Sequence, residues 1–404
     1  MLTVPLALSL LTLTSQGSDP AMGSRTEKRV LIVQGTASAR PWNIASANTY
    51  AHIDALPVTG FAYNVPIGWD AFKDDYGPWT QADVDGQFDG LDYSFSEVTD
   101  NFVSLYVRRR GASPADGDFF NDAAWQANVE NVRLLARAAR QPEHQCVGVV
   151  FDNEEYFEEV WNYPDDVAFA SQYSVDEYRE KARQRGAQIM RALAEEWPEV
   201  VVLTMHGPYL SAPERLAAPN VTLNQVGGPW EYELLGPFFF GMLEEARFPG
   251  QVVDGGEVYQ YRDDAQFQFS YCWRKTDMAV SSIMPASLAG ARYTLEAHAS
   301  FGLYPYSWPD PVQDLMTPPL FEEALVHAIE RADDHVWIFS EADRDFLTPG
   351  GIDPAWIQAT AAARLRADAR LRGPFDGLDS ATIARIRALS PAMLMFALAR
   401  LVGC

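Results

Sequence analysis

The stretch Val147-Gly148-Val149-Val150-Phe151-Asp152-Asn153-Glu154-Glu155-Tyr156 decides how the rest of the chain is read. An apolar run that breaks abruptly into carboxylates reads as a buried parallel strand whose carboxyl end opens into a site. Side chains alternate along an extended chain, so Asp152 and Glu154 share one face while Asn153 and Glu155 take the other. Two like charges brought together raise each other's pKa and are unfavourable unless one is protonated or a ligand uses them. The plainer alternative is that one acid caps the following helix and the other forms a salt bridge.

Upstream of this stretch, strands are expected at Val30 to Gly35, Val58 to Pro66 and Phe102 to Val107. Between the last of these and Val147, Asn121-Asp122 opens a helix with Trp125, Val129, Val132 and Leu135 on one face. Downstream, Ser174-Val175-Asp176-Glu177 is a capping box for a second helix, whose apolar side is Tyr178, Ala182, Ile189, Leu193 and Trp197. A fifth strand is expected at Val200 to Gly207, a sixth at Val221 to Val226, a seventh at Gln251 to Tyr259 and an eighth at His335 to Glu341. Asp353-Pro354 opens a final helix with an N-cap and a proline in its first turn. Apolar strands alternating with loops and helices predict an α/β fold, a (β/α)8 TIM barrel with long loops after the strands. The barrel is expected over residues 30–373, after a signal peptide at 1–17 and a linker at 18–29, with a helical extension at 374–404.

In such barrels the strands' carboxyl ends form the active face. The candidates there are Gln34, Asn64, Asp152, Glu154, His206, Asn224, Asp254, Glu257 and Glu341. Acids after strands four and seven would face each other across a bound sugar, the arrangement that glycoside hydrolysis requires. Asn153-Glu154 after a fourth strand and Glu257 after a seventh resemble the retaining glycoside hydrolases of the large (β/α)8 clan. That resemblance implies Glu154 as acid/base and Glu257 as nucleophile. The chain departs from the clan in lacking a proline directly after Glu154. It also has Gly255-Gly256 before Glu257, which leaves open whether Asp254 or Glu257 faces the centre. Asp152-x-Glu154 is also similar to the acid pair of substrate-assisted glycosidases, in which the Glu is the proton donor and the Asp holds an acetamido group. A non-catalytic carbohydrate-binding barrel and a polysaccharide lyase are the remaining alternatives.

Asn153 and His206 are candidate sugar ligands beside these acids, and Glu341 is either a ligand or an ion-pair partner of Arg344. Trp69, Trp79, Trp161, Trp230, Tyr259 and Trp308 follow strands, where flat rings can stack on sugar faces. Trp125 and Trp197 lie on helix faces and read as core. Neither a zinc motif, nor a Gly-x-Ser-x-Gly elbow, nor a Walker loop, nor Gly-x-Gly-x-x-Gly occurs, so no metal and no cofactor are expected.

With 404 residues and 48% hydrophobic content the chain can bury a large core. A formal net charge of −24 would repel nucleic acid, anionic membranes and polyanionic polymers, leaving a neutral carbohydrate as the expected partner. Oligomeric state is not legible. Leu2 to Leu13, followed by small polar residues, has the length of a secretory signal but no basic start, and implies a secreted or periplasmic protein. Cys146, Cys272 and Cys404 allow at most one disulfide, and Cys146 is expected as a buried thiol.

Overall fold

The structure, a computed structural model, describes residues 28–34, 39–44, 46–72, 78–89, 95–107, 114–154, 160–212, 232–305, 316–341 and 344–368. Nine parallel strands form one sheet: β1 Arg29–Gln34, β2 Gly60–Tyr63, β3 Asn101–Tyr106, β4 Cys146–Asp152, β5 Val201–Thr204, β6 Gln251–Asp254, β7 Ala297–Ala299, β8 Phe301–Leu303 and β9 His335–Ser340. Only Ser300 separates β7 from β8, and the two are halves of one stave. Its first half pairs with β6 and its second with β9, which in turn pairs with β1. The ring is therefore closed with eight staves, the expected (β/α)8 barrel.

Two of the expected strands need correction. β5 pairs directly with β6 from Val201↔Gln251 to Thr204↔Asp254, so the strand at 251 is the sixth and not the seventh. The strand expected at 221–226 lies outside the described residues. The true seventh stave, Ala297 to Leu303, carries little of the β-branched composition that marks a strand.

Alternation places one set of strand side chains inside the ring. Leu31, Val33, Ala62, Phe102, Val150, Leu203, Met205, Val253 and Trp337 form a cluster to which no helix contributes, the filling of the barrel. Their strand neighbours Val30, Ile32, Val103, Val149, Val202 and Val252 belong to the larger cluster shared with the helices. That outer layer holds α1 Asp122–Ala139 and α2 Val175–Glu196, capped by Asn121 and by the Ser174/Glu177 box as expected. It continues with α3 Leu235–Glu245, α4 Asp264–Cys272, α5 Pro318–Arg331 and α6 Pro354–Asp368. No described helix is long and apolar enough to cross a membrane.

The closing stave is pinned at its base by Asp333, in the turn before β9. Its carboxylate accepts from Lys275 Nζ at 2.8 Å, Tyr271 Oη at 2.7 Å and the Ala299 amide at 2.8 Å. Burial alone would push this carboxyl up, but the Lys275 ammonium, then His298, outweigh burial and hold it below its ordinary value. A lowered folded pKa contributes stability above the unfolded value of about 3.9, and that stability is lost as pH falls through the folded value. Asp333→Asn is expected to cost about 2–3 kcal/mol near neutral pH, the scale of hydrogen bonds to a charged group. Denaturant titrations should show the gap from wild type closing in acid; a gap independent of pH would contradict the assignment.

Candidate active site

Glu154 and Glu257 meet at the mouth of the barrel, and the local sequence explains why. Continuing the inward parity of Val150 and Asp152 in β4 brings Glu154 to the same face, and Val253 in β6 does the same for Glu257 through Gly255. The two glycines are required by space. A Cβ on Gly255 would stand 2.0 Å from the Thr204 carbonyl oxygen, and Gly256 has φ +56° with a Cβ position 2.1 Å from the Arg274 guanidinium. Gly302 gives room to the Trp337 ring, whose Nε1 donates to the Gly255 carbonyl at 2.9 Å and forms a floor two residues before Glu257.

Arg274 sets Asp254 apart from Glu257. Asp254 Oδ1 accepts from Arg274 Nη1 at 3.0 Å, and both side chains are 3% exposed. Arg274 also donates to the Ser300 carbonyl at 2.6 Å and lies 4.7 Å over the Phe301 ring. Asp254 is thus a structural ion-pair partner, and Glu257 is the carboxylate that stands beside Glu154 and His206.

Glu154, Glu257 and His206 converge. His206 Nε2 is 3.5 Å from Glu154 Oε1 and 3.7 Å from Glu257 Oε2, and the polar atoms of all three lie within 4.8 Å of one another. Burial, then the charge of Glu154 and the hydrogen bond to it, then Asp152, push the Glu257 carboxyl well above its usual range.

Asp152 is buried at the strand end, its Oδ1 accepting from the Glu154 amide at 3.1 Å. Asn153 corrects the expectation of a sugar ligand. Its Nδ2 donates to the His206 carbonyl at 2.8 Å and its Oδ1 accepts from the His206 amide at 2.9 Å. Asn153 positions His206 by tying the end of β4 to that of β5. His206 is 1% exposed, and Tyr209, from the turn Pro208–Ser211, places its hydroxyl 3.5 Å from His206 Nδ1. Tyr209 and Arg274 have no sequence signature, since neither lies at a strand end or in a motif.

The aromatics divide. Trp69 is half-buried and stacked at 3.7 Å on Tyr106, whose hydroxyl donates to Asn64 Oδ1 at 3.1 Å. Half-buried Tyr259 leans on Tyr304 and Trp337. Trp161 is fully buried with its Nε1 on the Asn153 carbonyl, so it is core and no sugar platform. Trp79 packs on the outer core, and Trp125 and Trp197 are core as expected. Glu341 is exposed at the end of β9. Trp230 and Trp308 lie outside the described residues.

No protein-family model matches the sequence, and no curated protein matches it. Among solved structures, the chain is similar to an exo-β-1,4-mannosidase from Opitutaceae bacterium strain TAV5, at 11% identity and TM-score 0.48, over 85% of this chain and 60% of that one. It thus spans about three fifths of the mannosidase's length. It is also similar to a β-mannanase from the blue mussel Mytilus edulis, at 10% identity and TM-score 0.44, over 85% and 93% of the two chains. A third likeness is to a broad-specificity endoglucanase from an uncultured bacterium, at 12% identity and TM-score 0.46, over 84% and 94%. Likenesses this distant concern the path of the chain, and the chemistry rests on the residues themselves.

Proposed function

We propose that the protein is a glycoside hydrolase that cleaves a neutral oligo- or polysaccharide with Glu154 and Glu257 as its two carboxylates. One observation carries this reading: two carboxyls converge with His206 at the barrel mouth, and burial and the neighbouring Glu154 push the Glu257 carboxyl well above its usual range. One oxygen of each lies within 4.8 Å of the other, a close approach that favours the short carboxyl spacing of retaining enzymes over the roughly 6.5–9.5 Å of inverting ones. Retention is therefore part of the proposal. Glu154 acts as acid/base, giving its proton to the leaving oxygen, and Glu257 attacks the anomeric carbon. Glu154 then takes a proton from the water that releases the glycosyl-enzyme.

Glu257 follows the sixth stave, whereas the retaining clan places its nucleophile after the seventh. Only one stave, β5, separates it from Glu154, and β5 delivers His206 between them. His206 is proposed to hydrogen-bond a sugar hydroxyl, and Trp69 and Tyr259 to line the bound chain. The net charge of −24 favours a neutral substrate over a polyanion. Secretion is proposed from the apolar run at Leu2 to Leu13 and from Cys272, which is disulfide-bonded, while Cys146 is a free thiol.

A screen of neutral plant, fungal and bacterial polysaccharides for reducing-end release tests the activity. Proton NMR of the first-formed anomer then tests retention. Hydrolysis with inversion would reject the pairing, and unsaturated products would indicate a lyase.

A further inference from the structure

We propose that Glu154, His206 and Glu257 also form a binding site for a divalent transition-metal ion, Zn2+ by donor set, and that metal and sugar exclude each other there. The second half of this statement rests on the sugar reading; the first does not. Donors held about 2.0–2.1 Å from a tetrahedral zinc lie about 3.3 Å from one another. The two edges that meet at His206 Nε2 measure 3.5 and 3.7 Å, and the third, between the carboxyls, is no longer than 4.8 Å. Drawing the three edges in to about 3.3 Å would make this triangle one face of a tetrahedral site. The fourth position would open toward the barrel mouth, the pattern of three protein ligands with a free position.

An independent observation points the same way. His206 is 1% exposed, and its Nε2 has no hydrogen-bond partner among the described residues although it is aimed between two carboxyls. Glu257 Oε2 is likewise buried and unpartnered. A buried imidazole nitrogen without a partner is costly unless a ligand completes it. The imidazole is also held in place. Asn153 fixes its backbone from both sides, and the Tyr209 hydroxyl faces Nδ1, where a metal-bound histidine places its remaining N–H. The other grouping of this kind among the described residues, Asp264, His327 and Glu330, is half-buried and its aspartate is already paired with Arg331.

Isothermal titration of ZnCl2 into the full chain, first stripped with chelator, tests the site without any sugar. One ion per chain is expected, with micromolar or tighter affinity. His206→Ala should weaken it by at least about 100-fold, since even outer-shell changes cost roughly 10–100-fold. If His206→Ala does not fold, the isosteric Glu257→Gln must weaken zinc to a similar degree. Absence of binding at millimolar zinc, or equal binding in a folded variant, overturns the proposal. With an active glycan in hand, zinc should inhibit and chelator should restore hydrolysis. Stoichiometric zinc without hydrolysis of any glycan would leave the metal site standing and remove the sugar reading. Hydrolysis without zinc binding would do the reverse.

Discussion

Glu154→Gln is expected to lower kcat/KM on a natural glycan by about 10²–10⁴-fold, the usual worth of a positioned general acid. Activity on an aryl glycoside with a good leaving group should fall far less in its first step, because that bond breaks without protonation. Glu257→Gln should remove activity on both substrates, by on the order of 10⁴-fold or more, as loss of a nucleophile does. Azide sharpens the contrast. Added to Glu154→Ala it should rescue turnover and give a glycosyl azide of retained configuration; added to Glu257→Ala it should give the inverted one. Exchanged outcomes would reverse the two roles, and an unaffected rate in either variant would remove that residue from the chemistry.

The second large effect is expected away from the reacting atoms. Arg274→Met leaves the Asp254 carboxylate buried beside its lost partner, and removes the donor to the Ser300 carbonyl between the two halves of the closing stave. Breaking a buried pair from one side costs about 3–5 kcal/mol. Burial raises the Asp254 carboxyl even with Arg274 beside it, and without the guanidinium it should rise further. A raised folded pKa means that the native state binds the proton more tightly. The penalty is therefore full above the folded pKa and relieved as pH falls through it. Urea titrations at pH 7 and pH 5 should show the smaller loss at pH 5, and adding Asp254→Asn should recover part of the stability. Activity should fall as well, since the guanidinium packs where a Gly256 Cβ would be, one residue from Glu257. An Arg274→Met protein as stable as wild type would show that the pair is not what holds this corner.

The middle stave was legible because its chemistry is local: an apolar run ending in alternating acids states both its burial and its inward face. The helix starts at Asn121 and Ser174 were legible for the same reason, since a cap is a matter of three or four adjacent residues. The seventh stave was not. Ala-His-Ala-Ser-Phe-Gly-Leu owes its strand to its neighbours: Gly302 is there for the Trp337 ring, and Asp333 holds Ala299, relations spanning tens of residues. Counting a strand at 221–226 before it numbered the strand at 251 seventh instead of sixth, and led to the expectation that Glu257 faces Glu154 from across the ring.

The site follows the same division. Asp152 and Glu154 were placed on one face by parity alone, which the structure reproduces. His206 as the third member depends on β5 lying between β4 and β6, which a single histidine after an apolar run cannot state. Asn153 read as a sugar ligand because its neighbours are acids, yet parity had already turned it away, and both ends of its amide are on the His206 backbone. Trp161 misled because position after a strand does not say whether a loop opens to the bowl or folds back onto the helices. Its ring packs 5.3 Å from Phe238 of α3.

The central claim is that Glu154 and Glu257 act as a proton donor and a nucleophile on one sugar. It is tested most directly by trapping the enzyme with a 2-deoxy-2-fluoro glycosyl fluoride of the sugar that the glycan screen identifies, followed by mass spectrometry of the labelled peptide. The account predicts one covalent sugar per chain, attached to Glu257, and none in Glu257→Gln. A label on Glu154, or full turnover of the natural glycan by a Glu257→Gln enzyme, would contradict it.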